Sequence, residues 1–246
     1  MIMMKETITS INDRLQLIQP EGGLPFGTDA LLLAGFMRRM KNASGAELGA
    51  GSGVISLLLL TREKLGSSLA LEIQPVYCEA MRRNASLNGL EGRLFPTEGD
   101  VTDYRSSEKF DVVFANPPYL AVTGVPSPDL KRQTARQEVA GGIVEFCRAA
   151  SRLLKYGGLF YVVYRPERLG ILMEALRDSR IEPKRMTLVY EDAAHAPCLV
   201  LTEGKLGASP GLYMTPPFFI RSGGGYSAEY EYQYENGDFD ERYYTR

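Results

Sequence analysis

The 246-residue chain is predicted to be an α/β protein, a mainly parallel sheet covered by helices on both faces. Three observations carry this. From Ala46 onward, short apolar runs alternate with segments of helical periodicity. A glycine-rich turn, Glu47-Leu48-Gly49-Ala50-Gly51-Ser52-Gly53, separates the first of those runs from its helix. Acidic or polar residues then recur at the ends of later runs, where a parallel sheet collects ligands along its carboxyl edge.

The elements follow in order. Thr7-Ile8-Thr9 and Leu15-Gln16-Leu17-Ile18 alternate around Asn12-Asp13, the pattern of a hairpin. Thr28 or Asp29 stands at the N-cap of a helix on which Ala30, Leu33, Ala34 and Met37 recur at helical spacing. A strand over 46–48, a helix over 54–64 and a strand over 69–71 come next. Pro75 opens another helix at its first position, with Val76, Ala80 and Leu87 on one face. Strands near 93–96 and 111–115 follow.

The helix over 137–154 has the clearest period, with Val139, Ile143, Phe146, Ala150 and Leu153 on one side. Gly157-Gly158 is expected to stop it, and 159–163 reads as a buried strand. A helix over 166–179 leads to two apolar strands near 186–190 and 197–202. From Ser222-Gly223-Gly224-Gly225 on, the chain is rich in Tyr, Gly and acid, and an edge segment followed by a loose tail is expected.

Composition narrows the class. Hydrophobic residues make up 44% and charged residues 24%, ordinary values for a soluble globular protein. No apolar run is long enough to span a bilayer, and residues 1–5 lack a signal-peptide core. Cys78, Cys147 and Cys198 are odd in number and far apart, a pattern of neither a disulfide framework nor a zinc site. The expectation is a cytoplasmic protein with no metal and no membrane partner. Net charge is −2, yet residues 221–246 alone contribute −3, leaving 1–220 at +1. Within 131–155, Lys131, Arg132, Arg136, Arg148, Arg152 and Lys155 outnumber Glu138 and Glu145. Such a stretch is either a phosphate-contacting surface or an ordinary charged helix face.

The most informative residues are Asn116-Pro117-Pro118-Tyr119, which end the run Phe110 to Ala115. Each proline fixes its own φ, removes a donor and pushes the preceding residue toward extended geometry, so the corner is rigid. The Asn116 side-chain oxygen and the Pro117 carbonyl can then converge as two acceptors on a planar –NH2 group. The Tyr119 ring offers a face to a flat substrate. The plainer reading is a loop in which two prolines merely end a strand. In the glycine turn the spacing is G-x-G-x-G, which is neither a dinucleotide fingerprint nor a P-loop. Nineteen residues after Gly53, at the next strand end, Glu72 is placed to accept both hydroxyls of a ribose. Asp100, after the third strand, is placed to hold the amino group of an adenine.

Turn, acid, second acid and Asn-Pro-Pro-Tyr in strand order resemble the S-adenosylmethionine-dependent class I methyltransferases, in their amino-methylating branch. Further segments narrow the likeness: Phe26-Gly27-Thr28-Asp29-Ala30-Leu31-Leu32-Leu33-Ala34, Glu72-Ile73-Gln74 and Arg83-Asn84-Ala85-Ser86-Leu87-Asn88-Gly89-Leu90. Ala135-Arg136-Gln137-Glu138, Leu154-Lys155-Tyr156-Gly157-Gly158, Arg165-Pro166-Glu167-Arg168-Leu169 and Gly225-Tyr226-Ser227-Ala228-Glu229 belong to the same set. With these the chain resembles the bacterial tRNA(Val) (adenine-N6)-methyltransferase family, which modifies the adenine just 3′ of the anticodon. The likeness runs from about residue 7 to about residue 237.

The resemblance implies a Rossmann-like class I methyltransferase fold, with seven strands of which the last is antiparallel. It implies S-adenosylmethionine as cofactor, its methionine and ribose lined by Glu47, Gly49, Gly51 and Gly53. Glu72, with Ile73 beside it, would take the ribose, and Asp100 with Val101 the adenine. Asn116 to Tyr119 would hold the target base, and Phe26 and Asp29 would close the pocket near the methionine end. Lys131, Arg132, Arg136, Arg165 and Arg168 are the candidates for contact with tRNA. The family commonly has Asp where Glu47 stands; the longer side chain should reach the same hydrogen-bond network. On this reading residues 1–42 are a hairpin and helix, 43–220 the methyltransferase domain and 221–246 the edge segment and tail. Oligomeric state stays open between monomer and weak dimer.

Two rivals remain at this level. One is another Asn-Pro-Pro-Tyr enzyme acting on rRNA guanine N2, protein glutamine or DNA adenine. The other is a noncatalytic cofactor- or RNA-binding module. His195, the only histidine, reads as structural or solvent-exposed. Tyr230, Tyr232 and Tyr234 alternate as they would along a sheet edge, the alternative being a surface that stacks on RNA.

Overall fold

The computed structural model describes residues 6–12, 15–20, 27–118 and 142–244. Strands β1 (Glu6–Asn12) and β2 (Leu15–Pro20) form the expected antiparallel hairpin. Helix α1 (Thr28–Phe36) leads into β3 (Met40–Leu48), α2 (Val54–Thr61), β4 (Leu65–Glu72), α3 (Pro75–Leu87), β5 (Leu94–Glu98) and β6 (Phe110–Ala115). After them come α4 (Ile143–Leu153), β7 (Leu154–Tyr164), α5 (Leu169–Asp178), β8 (Ile181–Tyr190) and β9 (Pro197–Leu206). The seven long strands lie side by side in the order β5-β4-β3-β6-β7-β9-β8. Those from β5 to β7 are parallel, and β9 runs antiparallel to both neighbours. This is the expected seven-stranded arrangement. Two-residue strands β10 (Tyr213–Met214) and β11 (Phe218–Phe219) extend the β8 edge.

Strand residues feed the two faces alternately. Val112, Phe114, Tyr161 and Val163 pack with α1, α2 and α3, whereas Val113, Ala115, Phe160 and Val162 pack with α4 and α5. The hairpin is held to α3 by two asparagines one turn apart. Asn84 accepts from Ile18 N and donates to Ile18 O, and Asn88 does the same with Gln16. Each side-chain amide thereby mimics a strand partner.

The corner between β3 and α2 is built around Glu47. Gly53 caps α2 in a left-handed conformation and has no side chain to offer the helix. The Glu47 carboxylate, only 2% exposed, takes that task by accepting from Ser56 N at 3.0 Å and Ser56 Oγ at 2.5 Å. Ser56 Oγ also meets Ser68 Oγ at 2.8 Å, tying α2 to β4. Burial pushes the Glu47 carboxyl up to about 7, against the Ser56 hydrogen bonds that lower it and alongside the nearby Glu72 charge.

The expected helix stop needs correction. Gly157-Gly158 does not stop α4, which ends at Leu153; both glycines lie inside β7. They form an irregularity in the β6–β7 register, with Gly157 at φ +79° and Gly158 packed against the Asp111 carbonyl, where a Cβ would lie 3.0 Å away. Residues 137–141, at the expected start of that helix, lie outside the described residues.

Residues 221–244 are no loose tail. After a small hairpin of β12 (Arg221–Ser222) and β13 (Gly225–Tyr226), Ala228–Asn236 forms helix α6. Ser227 Oγ caps it by accepting from Tyr230 N, and Gly237 closes it at φ +74°. Alternating tyrosines suggested a strand, but Tyr230 and Gln233 are buried on one helical face while Tyr232 and Tyr234 are exposed.

This segment locks α1 through buried cations that complete its unpaired C-terminal carbonyls. Lys64, 1% exposed, donates to Ala34 O, Gly35 O and Gly237 O and pairs with Asp238 at 2.8 Å. Arg185, also 1% exposed, donates to Phe36 O, Tyr243 O and Glu203, with its guanidinium 3.7 Å from the Phe36 ring centroid.

Replacing Lys64 by Met should leave those oxygens without their donor and lower stability by about 3 kcal/mol, read as a fall in the urea midpoint. An unchanged midpoint would contradict the clamp. For Glu47 the folded state binds the extra proton, so stability should fall as pH rises from about 4.5 to about 7. A shift of that size amounts to about 3 kcal/mol. Glu47→Gln should flatten this part of the profile, and a profile identical to that of the unaltered protein would show that Glu47 does not titrate there.

Candidate active site

Because β3 pairs with β4 on one side and β6 on the other, the chain reverses its winding direction at β3. Leu48 is level with both Leu71 and Ala115, and Glu72 is level with Glu98. Gly49, Glu72, Asp100 and Asn116 therefore leave one edge of the sheet from neighbouring strands. A crevice at such a reversal is where open parallel sheets bind ligands.

The glycine turn needs its glycines for different reasons. Gly49, Gly51 and Gly53 have φ of +67°, +54° and +77°. A Cβ on Gly53 would stand 2.9 Å from Met81 and one on Gly49 3.3 Å from Phe146, whereas one on Gly51 would meet nothing within 4 Å. The turn is packed underneath and open above. Asn84 Nδ2 also holds its Ser52 carbonyl at 3.1 Å, joining hairpin, α3 and turn.

Glu72 is 6% exposed and accepts from Gly51 N at 2.9 Å and Gln74 N at 3.0 Å, one bond per oxygen. A carboxylate so anchored keeps lone pairs for further donors. Ile73, 46% exposed, presents an apolar side chain beside it. Gly99 N donates to Glu72 O, which brings the Asp100 loop against β4. Asp100 Oδ1 accepts from both Thr102 N and Thr102 Oγ1 at 2.8 Å. Val101 is buried.

At the end of β6, Asn116 is half-buried, Pro117 buried and Pro118 exposed, while Tyr119 lies outside the described residues. Asp29 is half-buried at the start of α1, its Oδ1 accepting from Ala30 N, and Phe26 lies outside the described residues. A Cβ on Gly27 would fall 2.5 Å from the Asp29 carboxylate, so Gly27 makes room for it. Glu47 sits beneath the glycine turn as its brace.

The basic candidates divide. Lys131, Arg132 and Arg136 lie outside the described residues. Arg165 is exposed just past β7, donating to Cys198 O, and Arg168 is half-buried in the short turn Pro166–Arg168. The other cations of that stretch have local partners: Arg148 pairs with Glu145, Lys155 with Asp111, and Arg152 donates to the carbonyls of Val101 and Thr102. Arg152 and Asn84 thus shape the cofactor-side loops, a role not read from the sequence, where both stand among other polar helix residues. His195 is exposed, with Nδ1 2.7 Å from Asp192 Oδ1.

Among the described residues no helix is long and apolar enough to cross a membrane. An Agrobacterium tumefaciens protein described as a predicted O-methyltransferase superposes with TM-score 0.69 at 22% identity, covering 86% of this chain and 98% of that one. The T. thermophilus 16S rRNA N2 G1207 methyltransferase, solved with AdoMet and guanosine, gives 0.55 at 15% identity over 82% of this chain and 50% of its own. These likenesses concern the fold. In sequence, the tRNA1(Val) (adenine(37)-N6)-methyltransferase of Aliivibrio fischeri is 25% identical over 85% of this chain and 88% of its own length. The Porphyromonas gingivalis (strain ATCC BAA-308 / W83) protein of that name is 27% identical over 72% of each chain. The methyltransferase small domain model matches residues 21–176, more than half of the chain and all of the strand ends described above, and the chain belongs to that family.

Proposed function

We propose that the chain methylates the exocyclic nitrogen of an adenine in tRNA, with S-adenosylmethionine as methyl donor, in the cytoplasm. The observation that carries this is the meeting of the open glycine turn, the anchored Glu72 and the Asn116-Pro117 corner at adjoining strand ends. The names of the relatives from Aliivibrio fischeri and Porphyromonas gingivalis supply the substrate.

The residues fit the cofactor. Gly51 leaves the main chain accessible, and Glu72 retains acceptor capacity for the two ribose hydroxyls. Ile73 offers an apolar surface to a flat adenine, and Asp100 an acceptor for its amino group. Gly49, Gly53, Val101 and Asp29 complete the surround, and carboxylates at this edge suit a cationic ligand. S-adenosylmethionine supplies an electrophilic methyl group on a sulfonium.

An adenine amine is a weak nucleophile because its lone pair is delocalised into the ring. Asn116 Oδ1 and the Pro117 carbonyl accept its two N–H groups, favour the pyramidal form and stabilise the positive charge that builds on nitrogen. The nitrogen then becomes acidic and releases its proton, so no base is needed at the outset. Positioning and polarity supply the catalysis. A base already unpaired in an RNA loop reaches such a corner at lower cost than one extracted from a duplex.

Methyl transfer from tritiated S-adenosylmethionine should label bulk tRNA, with nuclease digestion and mass spectrometry locating N6-methyladenine. Label confined to rRNA, DNA or protein would overturn the substrate. Asn116→Ala should abolish transfer while calorimetry shows the cofactor still binding; undiminished transfer would remove Asn116 from the mechanism. Glu72→Ala should weaken cofactor binding by about 1–3 kcal/mol, and an unchanged affinity would place the ribose elsewhere.

A further inference from the structure

The small hairpin ahead of α6 carries an aromatic and a cation that the core does not use. Arg221 and Tyr226 face each other across β12 and β13, closed by Gly223 and Gly224 at φ +60° and +86°. The Tyr226 ring stacks on Tyr230 with centroids 4.7 Å apart and 21° between planes. The Arg221 guanidinium lies 5.0 Å from the Tyr226 centroid. Tyr230 is 8% exposed and belongs to the core, but Tyr226 leaves 52% of its surface to solvent. Its ring is held without being buried.

The fold places this tip on the ligand-binding edge. Strand β8 runs parallel to β7, so Tyr190 ends at the same edge as Tyr164 and Asn116. From there Ile220 N donates to Tyr190 O and Arg221 N to Glu191 O, and Arg221 Nε pairs with Glu191 at 2.7 Å. Helix α1 runs the other way: its C-terminal carbonyls meet Lys64 at the start of β4, which puts Thr28 and Asp29 at the ligand edge. Tyr230 stands next to Thr28, where α6 packs on α1. The stack therefore stands on the end of α1 that borders the proposed pocket, on the same edge as Arg165 and Arg168.

We infer that the Arg221–Tyr226 tip is a stacking platform for an unpaired nucleobase next to the target adenine. This rests on the RNA-methylating reading above. Every base has a π-face, and a guanidinium laid over an ordered, half-exposed ring presents a flat cationic surface on which unpaired bases stack. A target base turned into the Asn116 corner loses its stacking neighbours, and the platform returns one of them. The guanidinium, shared with Glu191, reaches the adjoining phosphate as a second contact.

The test uses the full chain with bulk tRNA. Tyr226→Ala should raise the tRNA Kd and KM roughly 5- to 150-fold, the range of one base–aromatic stack, with a much smaller change in kcat. Tyr226→Phe should restore both, Tyr226→Leu should not, and S-adenosylmethionine affinity by calorimetry should stay constant throughout. Leu preserves apolar bulk on Tyr230, so a defect in it separates stacking from support of α6. Wild-type tRNA affinity in a folded Tyr226→Ala or Tyr226→Leu protein would overturn the platform while leaving tRNA methylation intact. No labelling of tRNA by the unaltered chain would overturn both.

Discussion

A chain that leaves a buried parallel strand and must start a helix within a few residues has to turn sharply and still satisfy the helix's first donors. Three glycines with positive φ make the turn here, and none of them has a side chain to offer the helix's first donors. Glu47 does so from below through Ser56, and Glu72 fixes the turn from the side through Gly51 N. Those two carboxylates divide the work. One is sealed under the loop at the cost of a raised pKa, and the other stays at the rim with acceptor capacity to spare. Everything proposed for the cofactor depends on that division, because the open face above Gly51 exists only while the turn is held from both sides.

The second constraint lies across the sheet. Helix α1 borders the proposed pocket with its first turn and has unpaired carbonyls at its last. Lys64 and Arg185 satisfy those carbonyls and, in the same stroke, the backbone of Gly237 and Tyr243. Burying two cations is expensive, and the gain is that the C-terminal segment is fixed to α1.

Much of this was legible in the sequence, and the reasons are specific. Alternating elements, Pro75 at a helix start and the apolar runs pointed to a mainly parallel sheet covered by helices, since parallel crossovers leave few topologies, and the family resemblance supplied seven strands with the last antiparallel. The strand-end motif was visible because Asn-Pro-Pro and a G-x-G-x-G turn depend on backbone chemistry that few residues provide. What stayed hidden depends on distant pairs. Arg185 follows Glu182 and Lys184 at the polar start of β8, and only the fold reveals Glu203, Phe36 and Tyr243 around it. Gly157-Gly158 reads as a helix stop until β6 is seen beside it. The tyrosines at 230, 232 and 234 carry a period of two, yet Ser227 and Gly237 were sound cap residues for a helix that tertiary packing selected. For the site, Glu47 was read as a lining residue, and its place beneath the turn follows from Ser56 and Ser68, two small polar residues that gave no sign of being partners.

The central claim is that two acceptors, the Asn116 side chain and the Pro117 carbonyl, grip both hydrogens of one flat amine. A crystal structure of the chain with S-adenosylhomocysteine and adenosine tests it most directly. The account predicts the adenine N6 within hydrogen-bonding distance of both oxygens, on the side facing the cofactor sulfur, with the ribose of the cofactor on Glu72. An adenine bound with its amine turned away from Asn116, or an Asn116 side chain directed into the apolar core, would contradict it.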